Sequence, residues 1–278
     1  MKFTKMQGIG NDYIYVDCTK EQIADPCALA KKLSDRHYGI GGDGMILICP
    51  SEVADFKMDM YNDDGSQGKM CGNGIRCVGK FVHDKGLTDK TTVTIETLSG
   101  IKTLKLRLDE NGNVKTVRVD MGVPEMEPDK VPVKLDGDYV VDRKVSLAGG
   151  EYNITCVSMG NPHCVIFTEN IDSLDLAAIG PKFENDPLFP EKVNTEFVEA
   201  STNGEIRMRV WERGTGETLA CGTGACAVFV AAALNGYLSD RMGVVHLRGG
   251  DLTIEWAGDN HVYMTGAAEF VFDGEIEV

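Results

Sequence analysis

One feature constrains this chain more than any other: laid over itself at an offset of 150 residues, it falls into register without a gap. Met60-Tyr61-Asn62-Asp63-Asp64-Gly65, running on to Cys71-Gly72-Asn73-Gly74, meets Val210-Trp211-Glu212-Arg213-Gly214-Thr215, running on to Cys221-Gly222-Thr223-Gly224. Gly10-Asn11-Asp12 meets Gly160-Asn161-Pro162, residues 43–48 meet 193–198, and Gly100 meets Gly250. The offset then shortens to 144, where Val119-Asp120-Met121-Gly122 matches Tyr263-Met264-Thr265-Gly266, because a longer loop surrounds Asn111-Gly112-Asn113. Glycine-rich loops resemble one another, so one match would mean little; four collinear ones require two similar domains. The expected division is residues 1–120, joined by a tail of 267–278 that crosses back, and residues 121–266. Gly122-Val123-Pro124 and Glu127-Pro128 break a β-rich stretch at that boundary.

Within each half, short β-branched segments such as Thr92-Val93-Thr94-Ile95 and residues 114–119 alternate with Gly and Asn turns, and one strong helix follows each Cys-Gly-x-Gly. In the second half that helix covers residues 225–234, ends near Asn235-Gly236, and is apolar on every face. A helix without a polar face must be surrounded. The expected fold class is therefore α+β: two structurally similar domains, each a mixed β-sheet or barrel curled around a central helix. At 278 residues and 42% hydrophobic, the chain has the material for two such cores.

A formal net charge of −15 repels phosphate backbones and anionic lipid, which argues against nucleic-acid and membrane partners. The first residues carry no signal-peptide apolar region, and the longest apolar run, 225–234, is about half a membrane span. The expected location is the cytoplasm. Nine cysteines, an odd number scattered through a chain with ample core, fit reduced thiols better than a disulfide scaffold. Cys18, Cys27, Cys49, Cys156 and Cys164 read as small core residues.

Cys71 and Cys221 read differently, since each stands at the first turn of its helix before a Gly-x-Gly that lets backbone N–H groups approach a ligand. The positive helix end is expected to favour thiolate. The same amides can hold a carboxylate and the charge that grows on it when an α-proton leaves. Two such ends, one from each domain, would grip a single carboxylate between two thiols, one removing the α-proton while the other delivers a proton on the opposite face. A zinc site is disfavoured because the Cys71-x5-Cys77 and Cys221-x4-Cys226 spacings are at or beyond the usual range, with Cys77 and Cys226 inside apolar helices. A thioredoxin-like role is disfavoured by the lack of Cys-x-x-Cys.

Along nearly its whole length the chain resembles the diaminopimelate epimerase family. The resemblance rests on Lys5-Met6-x-Gly8-x-Gly10-Asn11-Asp12, Tyr61-Asn62-x-Asp64-Gly65-Ser66, Cys71-Gly72-Asn73-Gly74-x-Arg76-Cys77, Gly160-Asn161-Pro162-His163 and Glu212-Arg213-Gly214-x-Gly216-Glu217-Thr218-x-Ala220-Cys221-Gly222-Thr223-Gly224. It implies interconversion of L,L- and meso-diaminopimelate, for lysine and peptidoglycan precursors, without pyridoxal phosphate, other cofactor or metal. It assigns Cys71 and Cys221 as the catalytic pair and His163 and Glu212 as residues that tune them. Asn11, Asn62, Asn161, Asn194, Glu212 and Arg213 resemble the family's substrate-binding side chains, and Gly72, Asn73, Gly222 and Thr223 would form the backbone cradle. A substrate with an ammonium and a carboxylate at each end needs such acidic, cationic and amide partners. Two positions depart from the pattern: a Gln common in the family is Gly44 here, and Thr223 stands where many members have Ser. Proline racemases and hydroxyproline epimerases share the two-cysteine logic but not the asparagine set or Glu212-Arg213. A non-catalytic protein of the same fold or a thiol-metal module is the reading from another class. A homodimer is the expected assembly.

Overall fold

In the computed structural model, which describes residues 1–20, 22–201 and 205–277, the period of the sequence reappears as a period of elements. The first half runs β1 Lys2–Gly8, β2 Asn11–Asp17, α1 Pro26–Ser34, β3 Gly44–Cys49, β4 Phe56–Asn62, β5 Gln67–Gly68, α2 Gly72–Asp84, β6 Thr92–Thr97, β7 Gly100–Leu108 and β8 Val114–Gly122. The second runs β9 Arg143–Leu147, β10 Gly150–Ser158, β11 Pro162–Phe167, a 3₁₀ turn Ile171–Ser173, α3 Leu176–Glu184, β12 Asn194–Ala200, β13 Ile206–Glu212, β14 Gly216–Glu217, α4 Gly222–Leu234, β15 Met242–Leu247, β16 Gly250–Trp256 and β17 Val262–Gly266, and the chain ends with β18 Glu269–Glu275. The α1/α3, α2/α4, β4/β13 and β6/β15 pairs obey the 150-residue offset at both ends. The chain divides into Met1–Asp120 with Thr265–Val278, and Met121–Met264.

Each unit is a mixed sheet. In the first, neighbours run β18-β1-β2-β3-β4-β6-β7-β8, with the β2–β3 and β4–β6 pairs parallel and the rest antiparallel. In the second they run β9-β10-β11-β12-β13-β15-β16, with β11–β12 and β13–β15 parallel. Parallel neighbours need a crossover. α1 and α3 supply the first crossover of each unit, α2 and α4 the second. Helix α4 contacts β10, β11, β12, β13, β15 and β16, and its side chains from Ala225 to Ala232 are all fully buried. The sheet curls around it, as an all-apolar helix requires. Helix α2 packs on β1, β2 and β7. It buries Arg76 and Lys80 by giving their charges oxygen partners: Arg76 donates to the carbonyls of Ala267 and Gly72 at 3.1 Å, and Lys80 to Val114 O at 2.6 Å and Asp84 at 2.8 Å.

Three readings of the sequence need correction. Helix α4 begins at Gly222 rather than after the Cys-Gly-x-Gly, so both glycines lie in its first turn. Each unit carries a second helix, α1 or α3, capped by Asp25 or Asp175, whose carboxylates accept from Ala28 N at 3.0 Å and Ala178 N at 3.2 Å. Cys27 is exposed and Cys49 only half-buried, so neither is a core residue; Cys18, Cys156 and Cys164 are buried. No helix of the described residues is long and apolar enough to cross a membrane.

Candidate active site

The thiols sit where a capping oxygen usually does. Cys71 is the N-cap of α2, extended at φ −126°, ψ 121°, with its Sγ accepting the Gly74 N–H at 3.3 Å. Cys221 is the N-cap of α4, at φ −121°, ψ 107°, with its Sγ accepting the Gly224 N–H at 3.4 Å. Sulfur thus takes one of the orphan amides that Ser or Asp would satisfy. The second glycine of each motif is closely surrounded: a Cβ on Gly74 would lie 2.7 Å from Ile46 Cδ1, and one on Gly224 would lie 2.8 Å from Glu196 Oε1 and 3.2 Å from the Cys221 sulfur.

In the first unit the half-buried Cys71 donates to Asn11 Oδ1 at 3.3 Å. The Asn11 amide nitrogen donates in turn to Asp43 Oδ2 at 2.7 Å, an oxygen that also accepts the Asp12 N–H at 3.1 Å. Arg36 spans Asp12 and Asp43 at 2.7 and 2.9 Å, and Lys5 pairs with Asp12 at 2.6 Å. Burial works to raise the Asp12 carboxyl, but Arg36 and Lys5 bring it below the usual range; burial and the charge of Asp12 hold Asp43 above it. Asn62 donates to Ser66 Oγ at 2.9 Å. Asn73 is buried and accepts from Arg76 Nη1 at 3.0 Å. Tyr15, fully buried, donates to Gly74 O at 3.2 Å, and burial pushes the neighbouring Cys77 up to about 11.

In the second unit Cys221 is only 4% exposed. His163 and Glu196 are wholly buried, with His163 Nδ1 2.6 Å from Glu196 Oε1 and Nε2 3.0 Å from Asn161 Oδ1. Asn161 Nδ2 donates to Thr223 Oγ1 at 3.3 Å, and that hydroxyl lies 3.6 Å from the Cys221 sulfur. Glu212 accepts a hydrogen bond from Thr218 and lies within hydrogen-bond reach of Cys221. Asn194 braces the turn after β13: its nitrogen donates to Pro162 O at 2.7 Å and its oxygen accepts the Arg213 N–H at 3.0 Å. Arg213 is anchored to Glu191 O at 2.8 Å.

The expectation that a helix end lowers the thiol range does not hold at Cys221. Burial, then the charges of Glu212 and Glu196, push this thiol well up, while Thr223 and the Gly224 N–H pull the other way. Desolvating a thiolate beside two carboxylates outweighs half a charge at a helix terminus. Asp43, Glu196 and Thr218 escaped the sequence reading. Glu196 had a visible signal, an acidic residue in the apolar strand segment Phe197-Val198 next to Asn194-Thr195, the mark of a polar group facing a core.

At Gly44 the backbone leaves no room for a side chain. A Cβ there would sit 2.1 Å from Tyr61 O, at φ +153°. Gly44→Gln is expected to lower the melting temperature by roughly 6 °C or more, the equivalent of ~3 kcal/mol in a chain of this size. A variant that melts with the parent protein would show that β3 and β4 can part without cost.

Each unit thus places a thiol at the head of a helix. The architecture recurs in a phenazine biosynthesis protein of the PhzF family from Bacillus anthracis, with a TM-score of 0.73 at 19% identity over 100% of this chain and 99% of that one. The family model described as diaminopimelate epimerase matches residues 3–127 and 155–271. The diaminopimelate epimerase of Acetivibrio thermocellus is 56% identical over 100% of this chain and 99% of its own length, and that of Methanococcus maripaludis 57% identical over the whole of both. The chain belongs to the diaminopimelate epimerase family, and is an isomerase.

Proposed function

We propose that this chain interconverts L,L- and meso-diaminopimelate, with Cys71 and Cys221 removing and returning a proton at one α-carbon from opposite faces, in the synthesis of lysine and peptidoglycan precursors. The observation that carries this reading is the duplicated thiol cap, a sulfur receiving a glycine N–H at 3.3 Å in one unit and 3.4 Å in the other. A hydrogen-bonding helix end beside each sulfur suits a carboxylate whose charge grows as the α-proton leaves. Gly72, Asn73, Gly222 and Thr223 cradle that carboxylate; Asn11, Asn62, Asn161, Asn194, Glu212 and Arg213 serve the substrate's charged ends; His163 and Glu212 tune the thiols. The reaction uses no pyridoxal phosphate and no metal. Nine free cysteines suit a reducing compartment, the cytoplasm. The exposed apolar pair Val271 and Phe272 on β18 offers a surface that a second copy would cover in a homodimer.

The test is α-hydrogen exchange in heavy water on L,L-diaminopimelate, with proline alongside. Deuterium is expected at the α-carbon of diaminopimelate, together with conversion to the meso form, and none in proline. Exchange into proline alone would replace the substrate, and exchange into neither would remove the reading.

A further inference from the structure

The turn that carries Arg213 is held at both of its central amides. Residues 212–215 close on a bond from Thr215 N to Glu212 O at 3.1 Å, with Gly214 at φ +81°. A turn closed in this way gives the N–H groups of its second and third residues no partner of its own. Here Asn194 Oδ1 accepts from Arg213 N at 3.0 Å, and Glu184 Oε1 accepts from Gly214 N at 3.1 Å. The second oxygen of Glu184 accepts from Trp211 Nε1 at 2.9 Å, and Lys192 Nζ lies 3.2 Å from the first. Glu184 is buried at the last residue of α3. Burial works to raise its carboxyl, but the donors from Trp211, Lys192 and Gly214 bring it below the usual carboxylate range, so it is ionised at neutral pH. The helix comes this close because Gly180 lets it lie against the indole: a Cβ there would sit 2.2 Å from Trp211 Cδ2.

The first half of the repeat makes the same turn without these braces. At the offset of 150, Ser34 stands for Glu184, Gly44 for Asn194 and Asp63 for Arg213, yet Gly65 N donates to Asn62 O at 3.0 Å and the turn closes alike. The braces accompany the cation, not the turn. We infer that Glu184 is a positioning residue, which ties α3 to the 212–215 turn and so fixes the direction from which Arg213 meets a carboxylate of the substrate. The guanidinium is tethered through Nη1 to Glu191 O at 2.8 Å, in the loop that follows α3, so the backbone and the head of Arg213 take their bearings from one segment. A cation ordered before the substrate arrives spares binding the cost of ordering it. Glu212 is held by other bonds, the β13–β14 pairing with Gly216 and the Thr218 hydroxyl, so losing Glu184 should weaken binding more than proton transfer.

The substrate carboxylate rests on the proposed function; the brace does not. In Glu184→Gln the one amide oxygen can serve Trp211 or Gly214 but not both. KM for L,L-diaminopimelate is expected to rise about tenfold, with kcat within about threefold of the parent's, and Lys192→Gln is expected to move neither. Charge alone would give other signs: Glu184→Gln, which strips an anion from beside Lys192, would lower KM for an anionic group, and Lys192→Gln would raise it. In an Arg213→Ala background, Glu184→Gln is expected to change KM by less than about twofold, since the group it positions is gone. A KM that falls, a KM that rises equally in both backgrounds, or a loss confined to kcat would overturn the inference. Without substrate, exchange of the Gly214 N–H with heavy water, followed by NMR in the full-length protein, is expected to quicken about tenfold in Glu184→Gln while the Gly224 N–H at the head of α4 keeps its rate. An unmoved Gly214, or both amides quickening together as in general loosening, would equally overturn it. A parent protein that does not turn over diaminopimelate sinks the functional reading instead, and the Gly214 exchange then decides the brace alone.

Discussion

Replacing Cys71 or Cys221 by Ser is expected to lower epimerase turnover by about three orders of magnitude or more, while the melting temperature stays within a few degrees of the parent's. The two halves of this expectation come from the same position. Each sulfur caps a helix by accepting a glycine N–H, and a serine hydroxyl accepts that bond at least as well. The cap survives the exchange. A hydroxyl, however, ionises far too reluctantly to take or return an α-proton at neutral pH, so the chemistry does not survive. Ala separates the roles from the other side, since it loses both base and cap, at a further cost of about 1 kcal/mol in stability. The measurement is turnover in both directions beside thermal melts of Ser and Ala variants at each position. A Ser variant with near-parental turnover in either direction would show that one thiol suffices.

How much of this was legible in the sequence depends on whether a residue's partner lies inside the repeat. The α+β fold of two similar halves could be read because the offset that aligned Cys71 with Cys221 also governs α2 with α4 and β6 with β15. The polar-free run at 225–234 could be read as a surrounded helix, and it is one. Helices α1 and α3, each nine residues long, are too short for apolar spacing to single out, although Asp25-Pro26 is a cap followed by a proline at the first helical position. Hydrogen-bond direction is the information that sequence withholds. Asn11 and Asn161 look alike in the repeat; only the neighbours Asp43 and His163, brought in from other strands, turn one amide opposite to the other. Asn194 likewise spends both ends of its amide on backbone, bracing the Glu212-Arg213 turn.

Glu212→Gln is expected to cut turnover about a hundredfold and yet to leave the protein as stable as the parent, or more so, above neutral pH. Burial holds the Glu212 carboxyl above its ordinary range, and the Thr218 hydroxyl only partly offsets this. For a group raised in this way, the contribution to stability is fully present below the unfolded carboxyl range and is lost as pH rises through the higher folded value. The parent therefore loses stability as that carboxyl ionises. Gln keeps the bond to Thr218, carries no charge and escapes that loss, so the stability of the variant relative to the parent should climb between acid and mildly alkaline pH. Cys221 should respond in the opposite sense to its own burial, because removing the adjacent negative charge eases its ionisation. If turnover falls nonetheless, the carboxylate is needed to accept a proton or the substrate's ammonium rather than merely to hold the turn after β13. Thermal melts and turnover measured from pH 5 to 9 decide the matter: unchanged turnover with a lower melting temperature would make Glu212 a structural residue.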